Sequence, residues 1–322
     1  MEQLLIDEMK SGPSLLAFLS ILKVRSPKLF AEHTNLYKRL TAGKMGEEEV
    51  LHYFREFGQP HWRYIQNYWA NSNGVAESDL LVFTNTSCYV LEVKNYTGKF
   101  EYENGATTID GYEYSSDSIF QARRSSKNIR KILAGHVHPD NVHGALVFIG
   151  ENNEVAIHSQ VDDIEIVQRN QLMNFIRKIA VVEQASLYGS LRIDRIQRQF
   201  NRFQVANPFV IPSLTADQTR LLHTGITCAY CSSLDTKLTR KFVKCKCGHK
   251  ELREAATLRT IEEYSVLRYD AKLRVNSLFE FMGGHNSKSY LLDILSCHFE
   301  MIRQGRYTYY VKKLSNHSHT LL

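Results

Sequence analysis

Short apolar runs bounded by turn residues alternate with stretches of helical period through the first 180 residues. Taking Glu47 as the first position, Val50, Leu51 and Phe54 follow at three, four and seven residues, which predicts one face of a helix within 42–58. Residues 62–69 (WRYIQNYW) are aromatic and partly alternating, so a strand is expected, followed by a loop at Asn71-Ser72-Asn73-Gly74. Residues 80–84 (LLVFT) and 88–94 (CYVLEVK), separated by Asn85, Thr86 and Ser87, predict a hairpin. Asn104-Gly105 between 99–102 and 106–109 predicts another. Ser118 suits the cap of a helix to about Ala134, whose apolar side is Ile119, Ala122, Ile129 and Leu133. The run 145–149 (ALVFI) suits a buried strand, 164–167 a further strand, and 171–178 a helix. Strands and helices intermixed in this way predict an α/β domain built on one central sheet.

The flanks read differently. Residues 1–41 look helical, interrupted by Pro13 and Pro27. The segment 14–24 (SLLAFLSILKV) is apolar enough for a signal core. Glu2, Asp7 and Glu8 precede it, however, and no small-residue cleavage site follows, so an amphipathic helix packed on the main domain is expected. No apolar run reaches the roughly 18–20 residues that cross a bilayer, and no membrane partner is expected. An Arg-rich stretch, 190–202, reads as a helix leading into a linker punctuated by Asn207-Pro208 and Ile211-Pro212. Further on, 252–267 is helical, and 275–282, Gly283-Gly284 and 287–303 read as helix, turn, helix. Asn286, Ser287, Lys288, Ser289 and Tyr290 would open the reading helix. Residues 307–311 (YTYYV) suit a strand, with Tyr307, Tyr309 and Tyr310 as a wing or as packing residues. The expected organisation is an N-terminal helical extension (1–41), an α/β domain (42–180), a helical linker (181–222), a cysteine-rich module (223–252) and a helix-turn-helix-like domain (253–322).

Charge divides the chain in the same way. The formal net charge is +6, but residues 190–322 hold 21 Lys and Arg against 11 Asp and Glu, whereas residues 1–189 hold 19 against 23. An acidic front suits chemistry with carboxylates, and a basic back suits holding a polyanion. Four of the six cysteines fall within 20 residues: Cys228-x2-Cys231, thirteen residues, then Cys245-x-Cys247-Gly248. Two such pairs brought together by a hairpin predict a zinc ribbon, a closed four-thiolate structural site. His249 is an alternative fourth ligand because Cys-x-Cys is tighter than Cys-x-x-Cys. Lys237, Arg240, Lys241, Lys244, Lys246 and Lys250 surround the site and suit phosphate contacts. Clustered cysteines without a secretory signal point to a reducing compartment, so a cytoplasmic location is expected. His136, His138 and His143 read as loop histidines, and His317 and His319 as tail residues without a specific role. Phosphate-loop, nucleophile-elbow and HExxH motifs are absent from the sequence.

The front half supplies groups for phosphodiester hydrolysis. That reaction needs carboxylates to hold a hard cation and a positive group to orient the nucleophile or stabilise developing charge. Alternation on one strand puts Glu92 and Lys94 on a common face, with Tyr89, Leu91 and Val93 opposite. An even hairpin loop would bring Asp79 to the face of Glu92, and an odd loop would not unless a bulge intervened. Glu47 lies on the apolar side of its own helix, where a carboxylate wants a cation or a partner. The competing reading is an acid stabilised by the helix N-terminus.

Gly46-Glu47, the run 77–82 (ESDLLV), the run 89–98 (YVLEVKNYTG) and Ile119-Phe120-Gln121-Ala122 resemble the nuclease-related domain family, NERD, of the PD-(D/E)xK restriction-endonuclease-like class. The resemblance covers roughly residues 40–180. It implies a restriction-endonuclease-like mixed sheet flanked by helices, with Asp79 and Glu92 binding Mg2+ (or Mn2+). Glu47 would assist the metal, Lys94 would position or activate water, and Gln121 would orient substrate or water. Ser78 stands where the family more often has Ile or Val, and Tyr112 or Tyr114 would replace the aromatic end of its third strand. Together these features point to a Mg2+-dependent endodeoxyribonuclease with structural Zn2+ and DNA as partner, RNA being left open. The alternative is a non-catalytic nucleic-acid-binding regulatory or scaffold protein with an inert nuclease fold. Oligomeric state is not given by the sequence, a homodimer being one option.

Overall fold

The computed structural model describes residues 14–186, 191–208, 211, 213–268, 272–304 and 307–312. His317 and His319 lie outside them, as does Pro13. The chain opens with α1 (Leu15–Arg25), α2 (Pro27–Phe30) and the long α3 (Thr34–Phe57). Pro27 sits in the first turn of α2, where a missing N–H costs nothing. Two compact units follow from the contacts. One spans 38–209; the other combines 12–37 with 210–322.

In the first unit, β1 (Arg63–Asn71), β2 (Val75–Phe83) and β3 (Cys88–Lys94) form an antiparallel meander. After β4 (Gly98–Glu103), β5 (Ala106–Ile109) and β6 (Tyr112–Tyr114), helix α4 (Ser118–Leu133) crosses to β7 (Val142–Phe148), which lies parallel to β3. Strand β8 (Asn153–Ile157) leads to β9 (Ile164–Gln168), parallel to β7. The central sheet therefore has the order β1-β2-β3-β7-β9, and β6-β5-β4-β8 form a second sheet. Helix α5 (Leu172–Ala185) and α3 cover one face, where Val50, Leu51, Phe54, Leu172, Phe175 and Ile176 pack on Leu80, Val82, Leu91 and Val147. Helices α4 and α6 (Ile193–Phe203) cover the other, with Ile129, Leu133, Ile196 and Phe200 on Leu81, Phe83 and Val90. This is the mixed sheet between helical layers that the sequence predicts. The cap of α4 is Asp117, one residue before the expected Ser118, which is itself buried.

Of the segment expected to be a linker, 181–222, the part up to 208 belongs to this unit and 213–222 to the other. Phe200 is fully buried, its carbonyl accepts from the Tyr68 hydroxyl at 2.7 Å, and Gln204 bridges Ala70. The cores of Ile196 and Phe200 fill the groove beside α4, so the compact unit ends at 209 rather than 180. His143, expected in a loop, lies in β7 and stacks on Tyr89 at 4.6 Å between ring centroids.

The second unit gathers α1, α2, α7 (Ala216–Arg220), β10 (Thr236–Leu238), β11 (Phe242–Cys245), β12 (Lys250–Leu252), α8 (Arg253–Leu267), α9 (Val275–Phe281), α10 (Lys288–His298), β13 (Phe299–Gln304) and β14 (Tyr307–Lys312). Helix α1 packs here against α8, not on the main α/β domain as expected. The reason is electrostatic as much as apolar. Arg25 is fully buried and donates to Glu263 (2.6 and 2.8 Å) and to the carbonyls of His223 and Gly225, its guanidinium lying over the Phe281 ring. The helix expected over 287–303 stops at His298. Phe299 turns extended, and β13 pairs with β14 as a hairpin. Leu273 bridges Tyr310 on the outer side of that hairpin. Helix α8, the Leu273 bridge, α9, a turn, α10 and the β13–β14 hairpin follow one another in order. Tyr310 is buried, so it packs and is not presented as a wing. Asn286 is buried too, held by Arg253 and Thr257, so it cannot open a reading surface.

Candidate active site and metal centre

The β2–β3 turn is four residues long, Thr84 to Ser87, with Phe83 paired to Cys88. Thr84 organises it, its hydroxyl accepting from the backbone of Thr86 and Ser87. An even loop aligns Asp79 with Glu92, but the backbone ladder ends one step short, at Leu80 opposite Leu91. Beyond that pair β2 leaves β3 and continues with β1 alone. The break coincides with a twist in the β1–β2 ribbon. Asn67, opposite Asp79, has φ of +49°, a left-handed conformation that Asn tolerates. Across it both strands exchange faces. Ile65 and Tyr68 enter the same core cluster, and Ser78, like Leu81, points to the α4 side, its hydroxyl 2.6 Å from that of Ser125. Val93 N–H, left without a β2 carbonyl, donates to Asp79 Oδ2 at 2.7 Å. The carboxylate thus takes the place of a ladder bond and is held beside Glu92.

Lys94 follows Glu92 on the same strand face. Its Nζ donates to Glu92 Oε1 and to Gln121 Oε1, each at 2.8 Å. Gln121 comes from the first turns of α4 and is oriented by donating its own amide to Ser116 Oγ at 2.9 Å. Glu47 arrives from α3. Gly46 lets that helix close on the sheet, because a Cβ there would stand 2.8 Å from Asn95 Cβ and 2.9 Å from Ile149 Cγ2. Asn95 ties the same contact by donating to the Ala42 carbonyl at 2.8 Å. Tyr114 packs edge-on against Tyr96 just past Lys94, whereas Tyr112 is exposed.

Glu77, two residues before Asp79 on β2 and paired across the ribbon with Trp69, is an acid that the sequence reading did not single out. The signal for it was the run Glu77-Ser78-Asp79, which places two acids within one strand of the hairpin. Electrostatics join it to the others. Burial, then the neighbouring Glu92, push Glu47 up to about 7. Burial, then Glu47 and Glu92, push Glu77 up to about 7. Burial, then Glu92, Glu47 and Glu77, hold Asp79 well above the usual carboxylate range. Burial opposes the charge of Lys94, but Glu92 outweighs it and keeps the amine protonated. Four carboxylates thus share one lysine. All six side chains lie where α3, α4 and the diverging β2–β3 edge meet.

The second centre is in the ribbon. The turn after Cys228 is closed by Cys228 N–H to Ser233 O and Ser232 N–H to Cys228 O. The turn after Cys245 is closed by Cys245 N–H to His249 O and Gly248 N–H to Cys245 O. Gly248 has φ of +91°, which a side chain would strain. The four sulfurs all lie within 4.8 Å of one another, with Cys228–Cys247 at 3.7 Å and Cys231–Cys245 at 3.6 Å. A tetrahedral site with Zn–S bonds of about 2.3 Å has edges of about 3.8 Å, so the donor set fits zinc in kind and in size. The fourth sulfur is that of Cys247. His249 is not part of this group and stacks on Tyr230 instead.

Among the described residues, no helix is long and apolar enough to cross a membrane. Neither a curated protein nor a solved structure matches the chain. The family model described as the nuclease-related domain, NERD, matches residues 42–149, so the segment that holds Glu47, Glu77, Asp79, Glu92, Lys94 and Gln121 is similar to a nuclease-related domain.

Proposed function

We propose that the chain is a divalent-metal-dependent nuclease that hydrolyses phosphodiester bonds in DNA, its ribbon and helix-turn-helix unit holding the nucleic acid. The observation that carries this reading is the placement of Lys94. Its ammonium is clamped between Glu92 and Gln121 where β2 leaves β3, with Asp79 alongside. The donors suit magnesium or manganese, both of which prefer carboxylate oxygens. The excess of four acids over one base is relieved by a doubly charged ion.

A cation bound there supplies charge neutralisation at the phosphate and a more acidic water. Asp79 and Glu92 are the ligands in this reading, with Glu47 and Glu77 completing the acidic surround. Lys94 stays protonated and donates a hydrogen bond to the attacking water or to the oxygen on which charge develops. Gln121, itself fixed by Ser116, aims that ammonium.

A second reading, an inert domain that only binds nucleic acid, has one observation in its favour. Among the described residues, the cysteine set is the one group of three or more His, Cys, Asp or Glu whose ligand atoms all fall within 4.8 Å. The acids are near one another without being gathered, and Lys94 occupies Glu92. Incubation with supercoiled plasmid, single-stranded DNA and RNA, in Mg2+, in Mn2+ and in EDTA, separates the two. Cation-dependent cutting that falls by at least about a hundredfold in Asp79→Ala and in Lys94→Ala is expected. Binding without cutting under every condition favours the inert domain.

A further inference from the structure

The outer face of the zinc-ribbon sheet carries three lysines in one row. Lys237 on β10 pairs directly with Lys244 on β11, and Lys244 pairs directly with Lys250 on β12. Partners in register share a face, so the three amines cross the sheet on one side. All three residues are exposed. The opposite side carries Val243, buried toward α8, and Glu251, which pairs with Arg259 at 2.7 Å. None of the three lysines has a carboxylate within ion-pair distance among the described residues. Lys246, off the row, does pair with Asp235. Phe242 lies on the lysine face two residues before Lys244, with Lys250 Nζ 3.7 Å from its ring centroid, and Leu252 opposite it is exposed. Arg240 and Lys241, in the β10–β11 turn, are exposed as well.

Like charges directly opposite one another destabilise a sheet, and a three-stranded ribbon has little stability to give away. We propose that this row is a phosphate-backbone track: Lys237, Lys244 and Lys250 bind successive phosphates of one nucleic acid strand, with the Phe242 ring beside them as a base contact. Strands lie about 4.8 Å apart, so the row extends about 10 Å. One strand of duplex carries a charge every ~3.4 Å of axis, so about three to four phosphates fall along the row, enough for one at each flexible lysine. An aromatic ring within a basic track is how single strands are held without sequence preference. The proposal rests on the reading that this unit holds nucleic acid and adds which surface does so and by which group.

The test uses the full, zinc-loaded chain without added Mg2+, with labelled 30-nucleotide single strands and the matching duplex, read by fluorescence anisotropy over 50–200 mM salt. The triple variant Lys237→Gln, Lys244→Gln, Lys250→Gln is compared with Lys99→Gln, Lys127→Gln, Lys178→Gln, which removes the same charge from the first unit. The salt slope is expected to fall by about 2 for single strands and nearly 3 for duplex in the ribbon triple only. Over that fourfold salt range, this removes on the order of 20-fold and 40-fold of the affinity gained at low salt. A larger loss for the single strand at fixed salt identifies it as the preferred source of phosphates. One zinc per chain and an unchanged or higher Tm show that the ribbon is intact. Should the triple fail to fold, Lys244→Gln alone is expected to lower the slope by nearly 1. An unchanged slope in a folded ribbon variant overturns the track while leaving the nucleic-acid reading standing. A wild-type chain that binds neither probe overturns both.

Discussion

Burial and the neighbouring Glu92 push Glu47 up to about 7, and burial with Glu47 and Glu92 does the same to Glu77. A carboxyl whose folded pKa lies above its unfolded value adds stability that is fully present below about 4.5 and is lost as pH rises through about 7. The metal-free protein is therefore expected to melt at steadily lower temperature between pH 5 and 7.5, and Mg2+ to restore stability most at the upper end of that window. Differential scanning fluorimetry with and without Mg2+ measures both, and a Tm flat across the window contradicts the shared-charge account. Asp79→Asn keeps a carbonyl oxygen for Val93 N–H while removing one charge. It is expected to raise the metal-free Tm at pH 7.5 by a few degrees and to abolish the Mg2+ response, read in the same assay. Lys94 needed no structure to be found, since Glu92-Val93-Lys94 is local on one strand. Asp79 needed the loop count, which the sequence left open because Thr84 could have counted as strand or as turn. Glu77 was passed over because nothing in its neighbours reveals that α3 brings Glu47 toward it.

At the scale of elements, helix α3 closes on Asn95 and Ile149, the residues that follow β3 and β7, because residue 46 has no side chain. Gly46→Ala is expected to push α3 outward, cost about 1–3 kcal/mol in denaturant unfolding, and lower cutting by moving Glu47 without touching any reactive group. Rescue of stability without rescue of cutting in a background that is stabilised elsewhere separates position from folding. The elements of the first unit were legible where period and turn chemistry agreed, as at the Asn104-Gly105 hairpin and the 145–149 strand. They were misread where burial decides. Helix α6 looks polar, with four arginines among 192–202, yet Ile196 and Phe200 anchor it in the core, with Phe203 packed against the same cluster. The end of α10 was overrun because residues 299–303 are compatible with a helix, and the pairing with β14 that makes them a strand is a contact between segments.

For the molecule as a whole, the chain is divided by contact, not by order in sequence, since α1 and α2 join the C-terminal unit. No periodicity in 14–24 says which core its apolar face enters, whereas Arg25, mated to Glu263, specifies it. The ribbon should depend on its metal. Chelation is expected to release one zinc per chain and to accelerate amide exchange across β10–β12, leaving the protection of β3 and β7 unchanged. Exchange in the ribbon that is indifferent to chelation contradicts a structural zinc site.

In the proposed reading, a hard divalent cation sits between Asp79 and Glu92. Crystals grown with Mn2+, measured for anomalous scattering at the manganese edge, test it without relying on turnover. A peak within about 2.5 Å of both carboxylates, lost in Asp79→Asn crystals, is the expected result. A map with manganese elsewhere, or none at these residues while Lys94 still bridges Glu92 and Gln121, contradicts the account.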